Sequence, residues 1–172
     1  MDAQTALLVI DVQQELFEKT TPIYQAPHLL EKLNQLIDQA HQAQVPVFFI
    51  QHSSEKILIQ DSAGWQVHPQ LKISTVDRIV QKHHGNAFEQ TPLQTELEAL
   101  GIQRLVITGL VTHGCVKATS LGALELGYQV LLVADGHSNY HKNAPEVIAE
   151  WNEKLKLAGA KLVKAAEINF AN

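Results

Sequence analysis

Short apolar runs alternate with longer helix-type patterns along the chain, and this alternation constrains the fold more than any other feature. Four amphipathic segments between the runs predict helices over residues 29–43, 91–100, 112–126 and 144–157. The runs are rich in Val, Ile and Leu without polar alternation, as in parallel strands covered on both faces. They span residues 6–12, 45–51, 77–82, 104–110, 129–136 and 161–165. The pattern predicts a three-layer α/β/α sandwich with a mainly parallel, six-stranded, Rossmann-like sheet.

Length and composition narrow the class of protein further. The 172 residues predict a single domain over residues 1–172, and the hydrophobic fraction of 45% is ordinary for a globular chain. A formal charge of −5 leaves no basic stripe for nucleic acid. No apolar run approaches the ~18 residues that cross a bilayer, and the N-terminus lacks the basic segment of a signal peptide. We therefore expect a cytoplasmic protein that binds neither nucleic acid nor membrane.

Polar residues stand at or just beyond the ends of five predicted strands. In open parallel sheets, ligands bind beyond the carboxyl ends of the strands, so these residues are the first candidates for a site. Each also has a structural interpretation, such as a helix cap, a solvated lysine, a small core residue or a turn residue. The five are Asp11, His52, Lys82, Cys115 and Asp135.

Three of these residues form a chemically complete set when they are considered together. Cys115 is the only cysteine, which excludes an intramolecular disulfide, and it lies at the start of a helix-type pattern. A helix N-terminus and a nearby ammonium such as that of Lys82 stabilise a thiolate. A carboxylate such as that of Asp11 can remove or return a proton. The set predicts a nucleophilic site.

The sequence around these residues resembles a known family. The matching motifs are "LLVIDVQQELF" around Asp11, "VQKHHGNAF" around Lys82 and "ITGLVTHGCVKATSLGALELGYQVLLVADG" around Cys115. In this order they are similar to the isochorismatase-like cysteine hydrolases, which include nicotinamidases and N-carbamoylsarcosine amidase. The resemblance implies an isochorismatase-like hydrolase fold, a small-molecule substrate and a homo-oligomer, either a dimer or a tetramer.

The resemblance also implies a role for each matching residue. Cys115 would attack a carbonyl carbon and form a thioester. Asp11 would accept the thiol proton and pass it to the leaving amine, while Lys82 would hold the thiolate and Asp11 in place. The peptide bond between Leu110 and Val111 would be cis, and the backbone N–H groups of Val111 and Cys115 would form the oxyanion hole.

One feature departs from the nicotinamidases, which bind a divalent metal through an Asp-x-His pair after the second strand and a further His. Here Ile50 stands two residues before His52, where the pair would need Asp. A metal site needs three or four converging ligands. We therefore predict no catalytic metal and no other cofactor, and interpret four histidines as polar loop or pocket residues: His52, His68, His83 and His84.

Four residues are candidates for the wall of the substrate pocket. Phe17 and Phe88 lie in or beside the motif loops, with core packing as the alternative for both. Trp65 lies in the long irregular segment 52–75, which favours a pocket position. His113 is either a polar pocket residue or a solvent-facing one.

These features predict a cysteine-dependent hydrolase of a small amide, related C–N or ester-like metabolite. Isochorismatases proper cleave a vinyl ether without a cysteine nucleophile. Cys115 therefore favours the members of the family that hydrolyse amide or related C–N bonds. The alternative is a catalytically silent member that binds a ligand or partner. A dinucleotide-dependent oxidoreductase is disfavoured because G-x-G-x-x-G is missing after the first strand. A redox sensor would lack a resolving cysteine within the chain.

Overall fold

The computed structural model describes residues 4–170, and its centre is a six-stranded sheet. All five strand pairings are parallel, and the strand order is β3-β2-β1-β4-β5-β6. Each predicted apolar run overlaps one strand, which confirms the predicted fold class. The strands are β1 Thr5–Ile10, β2 Val47–His52, β3 Arg78–Lys82, β4 Arg104–Leu110, β5 Gln129–Ser138 and β6 Lys161–Val163.

Within residues 4–170, five α-helices accompany the sheet, and four of them correspond to the predicted helices. The helices are α1 Gln14–Phe17, α2 Ala26–Gln42, α3 Leu93–Ala99, α4 Lys117–Glu125 and α5 Ala144–Leu157. The sequence pattern missed α1, which is only four residues long. The last strand was predicted to reach Ala165, but it ends at Val163 and a 3₁₀ turn follows over Ala165–Glu167.

The predicted helix over residues 112–126 is divided in the structure. Gly114 has non-helical backbone angles (φ −115°, ψ −111°). It interrupts a wide turn over Thr112–Val116, in which the Val116 N–H donates to the Val111 carbonyl (3.3 Å), and α4 follows. We call residues 112–116 the cysteine turn.

The two faces of the sheet bury separate hydrophobic clusters. Along β1, Leu7 and Val9 pack with α2, while Leu8 and Ile10 pack with α3, α4 and α5 on the opposite face. Successive side chains of a strand point to opposite faces, so a strand covered on both faces needs apolar residues at every position. This explains why the runs in the sequence lack polar alternation.

The strand order places a topological switch point between β1 and β4. From β1 the chain proceeds outward to β2 and β3, then returns to β4 on the other side of β1 and continues to β5 and β6. The carboxyl ends of β1 and β4 therefore border the crevice where ligands bind in such sheets. Asp11 follows β1, and the cysteine turn follows β4.

The irregular segment between β2 and β3 folds over this end of the sheet. The His68 N–H donates to the Val12 carbonyl (2.8 Å), and the Glu15 N–H donates to the Gly64 carbonyl (2.8 Å). These contacts fix the loop against the chain that leaves β1. None of the helices within residues 4–170 has the length and apolar character needed to span a membrane.

Candidate active site

Asp11 is held at the carboxyl end of β1 by a sharp change of backbone direction. Its φ is 52°, in the left-handed region that a non-glycine residue rarely adopts. Its N–H donates to the Ile50 carbonyl of the neighbouring strand (2.9 Å). The residue is only 3% exposed, and among the residues described its Oδ1 has no hydrogen-bond partner. The carboxyl group is thus buried with one oxygen free to receive a proton.

Lys82 is the last residue of β3, and its side chain reaches across the end of β2. It is 0% exposed. Its Nζ donates to Asp11 Oδ2 (3.0 Å), to Cys115 Sγ (3.1 Å) and to the His84 carbonyl (3.1 Å). The structure therefore brings together the three side chains that the sequence singled out on separate strands.

Cys115 lies in the cysteine turn, just before α4, and is partly exposed. The peptide bond between Leu110 and Val111, which precedes the turn, is cis. The Val111 carbonyl accepts from the Gly114 N–H (3.0 Å) as well as from Val116. The thiol is thus presented at the crevice by a compact backbone loop.

Burial dominates the ionisation of the thiol and the carboxyl group. It raises the pKa of Cys115 to about 12; the neighbouring Asp11 carboxylate adds to this rise, and Lys82 opposes it. Burial also raises the pKa of Asp11, against the lowering effect of Lys82. A stabilised thiolate, as the helix end and the ammonium predict, is therefore not the resting state. At neutral pH the free site holds a protonated thiol.

His52 and Gln13 complete the surroundings of Lys82. His52 Nδ1 lies 2.9 Å from Lys82 Nζ and must accept, because an ammonium only donates. Burial and the Lys82 charge lower the pKa of His52, which agrees with a neutral ring. Gln13 Oε1 accepts from the His52 N–H (2.9 Å), and its Nε2 donates to the His52 and Trp65 carbonyls (3.0 and 2.8 Å). Gln13 therefore ties the loop to the end of β2.

The metal of the nicotinamidases can be tested against these residues. Asp11, His52 and Cys115 each bring a ligand-type atom within 4.8 Å of the others. However, Lys82 Nζ lies 2.9 to 3.1 Å from atoms of all three. The space between these atoms is already filled by a cation, so the donor set does not fit a metal while Lys82 keeps this position.

The predicted pocket residues lie in different surroundings. Trp65 is 5% exposed, packs in the α2-side core and donates from Nε1 to Ser53 Oγ (2.8 Å). Phe17 is partly exposed and its ring centroid lies 4.4 Å from that of His68. Phe88 stacks on Tyr128 (5.7 Å), which precedes β5 at the opposite end of the sheet from Cys115. His113 is partly exposed within the cysteine turn.

The other candidates occupy less central positions. Asp135 Oδ1 accepts from the Ala165 N–H (2.7 Å), which is a structural contact. The residue lies inside β5, which continues to Ser138, so neither the predicted strand end nor the turn interpretation is correct. His84 lies 3.6 Å from Glu89 and His83 is exposed. Nothing in the sequence distinguishes Gln13, because the adjacent Gln14 is the same residue type and only the fold shows which of the two is buried.

The fold and this site define an α/β protein of Rossmann-like strand order with a thiol, a carboxyl and an ammonium group at the switch point. Residues 5–167 match the Isochorismatase domain family, and the chain belongs to that family.

Individual relatives agree with this assignment. Streptothricin hydrolase of Streptomyces noursei is 30% identical over 137 residues, covering 78% of this chain and 50% of that protein. The chain thus spans about half the length of this relative. Nicotinamidase 3 of Arabidopsis thaliana is 25% identical over 157 residues, which cover 82% of this chain and 76% of that protein. A solved isochorismatase family protein superposes with a TM-score of 0.88 at 32% identity, covering 94% of this chain and 98% of the other.

Proposed function

We propose that this protein is a cysteine-dependent hydrolase of a small amide or related C–N compound, acting through a thioester. Cys115 is the nucleophile, Asp11 the acid and base, and Lys82 the electrostatic partner of both. Ester-like carbonyl compounds fall within the same chemistry, because the attack is on the carbonyl carbon.

One observation carries the proposal: a buried ammonium group bridges a carboxyl and a thiol. Lys82 Nζ is 3.0 Å from Asp11 Oδ2 and 3.1 Å from Cys115 Sγ. A lysine is almost never fully buried unless it is paired, and strongly perturbed groups at a crevice favour a functional role. A purely structural role would not need a thiol as the third member.

The first half-reaction begins from the protonated thiol. As Cys115 Sγ forms a bond to the substrate carbonyl carbon, its proton moves to Asp11, whose raised pKa suits a proton acceptor that must also return the proton. The carbonyl oxygen becomes an oxyanion, which the N–H groups of Val111 and Cys115 would stabilise. The C–N bond then breaks, the leaving amine takes the proton from Asp11, and a thioester remains on Cys115.

The second half-reaction uses water as the nucleophile. Asp11 takes a proton from water while the oxygen attacks the thioester carbon. The S–C bond breaks, the acid leaves, and the thiolate is reprotonated from Asp11. Lys82 donates hydrogen bonds to both groups that change charge in these steps.

The relatives and the site together support the proposed substrate class. A nicotinamidase, by its name, acts on nicotinamide, a primary amide, and streptothricin hydrolase acts on streptothricin. The missing Asp-x-His pair and the position of Lys82 separate this chain from a metal-dependent nicotinamidase site. We propose a small amide other than nicotinamide, with the partly exposed Phe17 and His113 as candidate walls of its pocket. Trp65, which packs in the core, and Phe88, which stacks on Tyr128, are less suitable for that role.

The test is a panel of small primary amides, N-carbamoyl compounds and aryl esters, with nicotinamide included. Ammonia or alcohol release is measured for the wild type and for Cys115→Ala, Asp11→Asn and Lys82→Met. We expect turnover of at least one compound by the wild type and a loss of at least about 10³-fold in each variant.

Asp135→Asn is the matched control for Asp11→Asn. Asp135 is also a carboxylate that the sequence pattern placed at a strand end, but in the structure it lies inside β5 and accepts from the Ala165 N–H. Asparagine at this position keeps an acceptor oxygen. This control should retain wild-type turnover. Full activity in Cys115→Ala would overturn the proposal. Binding of a panel compound without turnover would instead support a catalytically silent member.

A further inference from the structure

We propose that His137 and Asn152 form a positioning relay that orients Thr112 and so holds the cysteine turn in its reactive geometry. The inference deepens the proposed function and rests on it, since it concerns the same nucleophile. None of the three residues contacts Lys82 or Asp11 through a described hydrogen bond, so they act through the turn.

An irregularity in the sheet brings β5 back to the end of β4. Ile107 pairs with Leu132, but two residues later Gly109 pairs with His137. Between these two pairs the chain advances five residues along β5 but only two residues along β4. The extra residues form a bulge, and such a bulge changes where the following side chains point. Here it places His137 beside the last residues of β4, just before the cysteine turn.

Hydrogen bonds fix the tautomer of the buried His137 ring. Its Nε2 lies 2.8 Å from Asn152 Oδ1, an acceptor, so Nε2 carries the hydrogen. The other amide atom of Asn152, Nδ2, donates to the Ala134 carbonyl (3.4 Å), which supports this orientation of the amide. Burial lowers the pKa of His137 to about 4, and the ring is neutral at neutral pH. His137 Nδ1 is therefore a hydrogen-bond acceptor.

Thr112, the first residue of the cysteine turn, is oriented by its hydrogen bond to His137. Its Oγ1 lies 2.9 Å from His137 Nδ1 and must donate to it. The same oxygen accepts from Asn139 Nδ2 (3.4 Å). Thr112 is 0% exposed. Its hydroxyl is thus held between a donor and an acceptor. Through Asn152 and His137, α5 and β5 are linked to the backbone that presents Cys115.

Loss of this relay should have an effect that a general loss of stability would not have. The thiol and the two proposed oxyanion donors, Val111 and Cys115, lie within or next to the turn. Displacements of about 1 Å there would lower turnover about a hundredfold. Loosening the turn should also give water better access to the partly buried thiol. Reactivity of Cys115 toward a small reagent should then rise while turnover falls.

The experiment compares four variants of the full-length protein. Thr112→Val keeps the shape of the side chain and removes the hydroxyl, whereas Thr112→Ser keeps the hydroxyl. Asn152→Leu removes the acceptor from a partly exposed helix position, where folding is least at risk. Thr108→Val is the matched control, because Thr108 is equally buried, belongs to the adjacent strand β4 and donates only to the Leu8 carbonyl (2.8 Å).

The readouts are the rate of alkylation by iodoacetamide as a function of pH, and kcat and KM for an amide from the panel. Thr112→Val and Asn152→Leu should lower kcat about ten- to a hundredfold with KM within about twofold. Their alkylation at pH 8 should be at least about threefold faster than in the wild type. Thr112→Ser and Thr108→Val should match the wild type in both readouts.

Two outcomes would overturn the relay. One is a wild-type alkylation profile and kcat in Thr112→Val; the other is an equal change in Thr108→Val at the same loss of thermal stability. Alkylation requires no substrate, and Cys115 is the only cysteine to be labelled. A wild type that turns over no amide would therefore refute the proposed function, while the alkylation profiles would still decide on the relay.

Discussion

At the scale of single residues, the site depends on how one buried ammonium group is shared. Lys82 Nζ has four acceptors within 3.1 Å, on Asp11, His52, His84 and Cys115, but it has only three hydrogens. One contact is therefore always weaker than the rest. The thiol, the poorest of these acceptors, is the group that can leave the network to attack a substrate.

Lys82→Met should destabilise the fold as well as abolish turnover. The variant leaves the Asp11 carboxyl buried without its cation, and breaking a buried ion pair on one side costs about 3–5 kcal/mol. Adding Asp11→Asn removes the unpaired charge, so the double variant should recover part of that loss. The measurement is the free energy of unfolding in urea for both single variants and the double variant. If the losses in free energy of unfolding were strictly additive, this would contradict a buried ion pair between Lys82 and Asp11.

The Cys115 thiol should make stability fall at alkaline pH. Its pKa is raised from an ordinary 9.0 to about 12 in the folded protein. Between these values the unfolded chain releases the proton and the folded protein retains it, so the folded state loses stability as the pH rises.

The free energy of unfolding of the wild type, relative to Cys115→Ala, should decrease by about 1 kcal/mol between pH 8.5 and pH 10. The comparison with the variant isolates the thiol, because every other ionisable side chain is present in both proteins. A difference that stays constant with pH would mean that the folded protein does not retain the thiol proton.

At the scale of elements, the close approach of β1 and β4 is what joins Asp11 to the cysteine turn. Gly109 in β4 pairs with Ile10 in β1. Its φ is 116°, and a Cβ there would lie 2.1 Å from the Ile10 carbonyl oxygen. Only glycine fits this contact, and the contact lies immediately before the site.

Gly109→Ala should therefore lower the free energy of unfolding by about 3 kcal/mol or more, since the clash is with backbone that cannot move aside. Gly127→Ala is the matched control: its φ is also positive, at 86°, but nothing lies within 4 Å of its added Cβ. It should cost only the strain of the backbone angle, about 1–2 kcal/mol. Equal losses in thermal or urea unfolding would show that the β1–β4 contact has no special role.

The elements themselves were largely predictable, and the exceptions have physical causes. Apolar runs and helical periodicity are local signals, and they identified every strand and α2 to α5. The break at Gly114 was missed because residues 112–126 keep a helical pattern on both sides of it. The left-handed backbone at Asp11 was missed because tertiary contact with β2 imposes it.

At the scale of the whole molecule, the sequence predicted the convergence of three side chains but not the state in which they rest. Convergence follows from topology, since Asp11, Lys82 and Cys115 all follow or end parallel strands. The protonated thiol follows from burial, which depends on side chains packed from several elements. For the same reason, the sequence could not identify Gln13 or the contact of His137 with Thr112.

The homo-oligomer that the family resemblance implies remains a prediction. The chain has a mass of 19.1 kDa, and β3 forms an edge of the sheet with Ile79 about half exposed. Exposed apolar residues on a strand edge favour association. Light scattering should give two or four times the chain mass. A single species at the chain mass, unchanged over a hundredfold range of concentration, would contradict this expectation.

The thioester on Cys115 is the central claim, and mass spectrometry of the intact protein tests it most directly. The enzyme is mixed with an amide that it hydrolyses and is quenched in acid during turnover. We predict a mass increase equal to the acyl group less the thiol hydrogen that it replaces. The increase should be located on the peptide containing Cys115, removed by neutral hydroxylamine and absent from Cys115→Ala. Steady turnover in the wild type with no adduct, together with turnover in Cys115→Ala, would contradict the account.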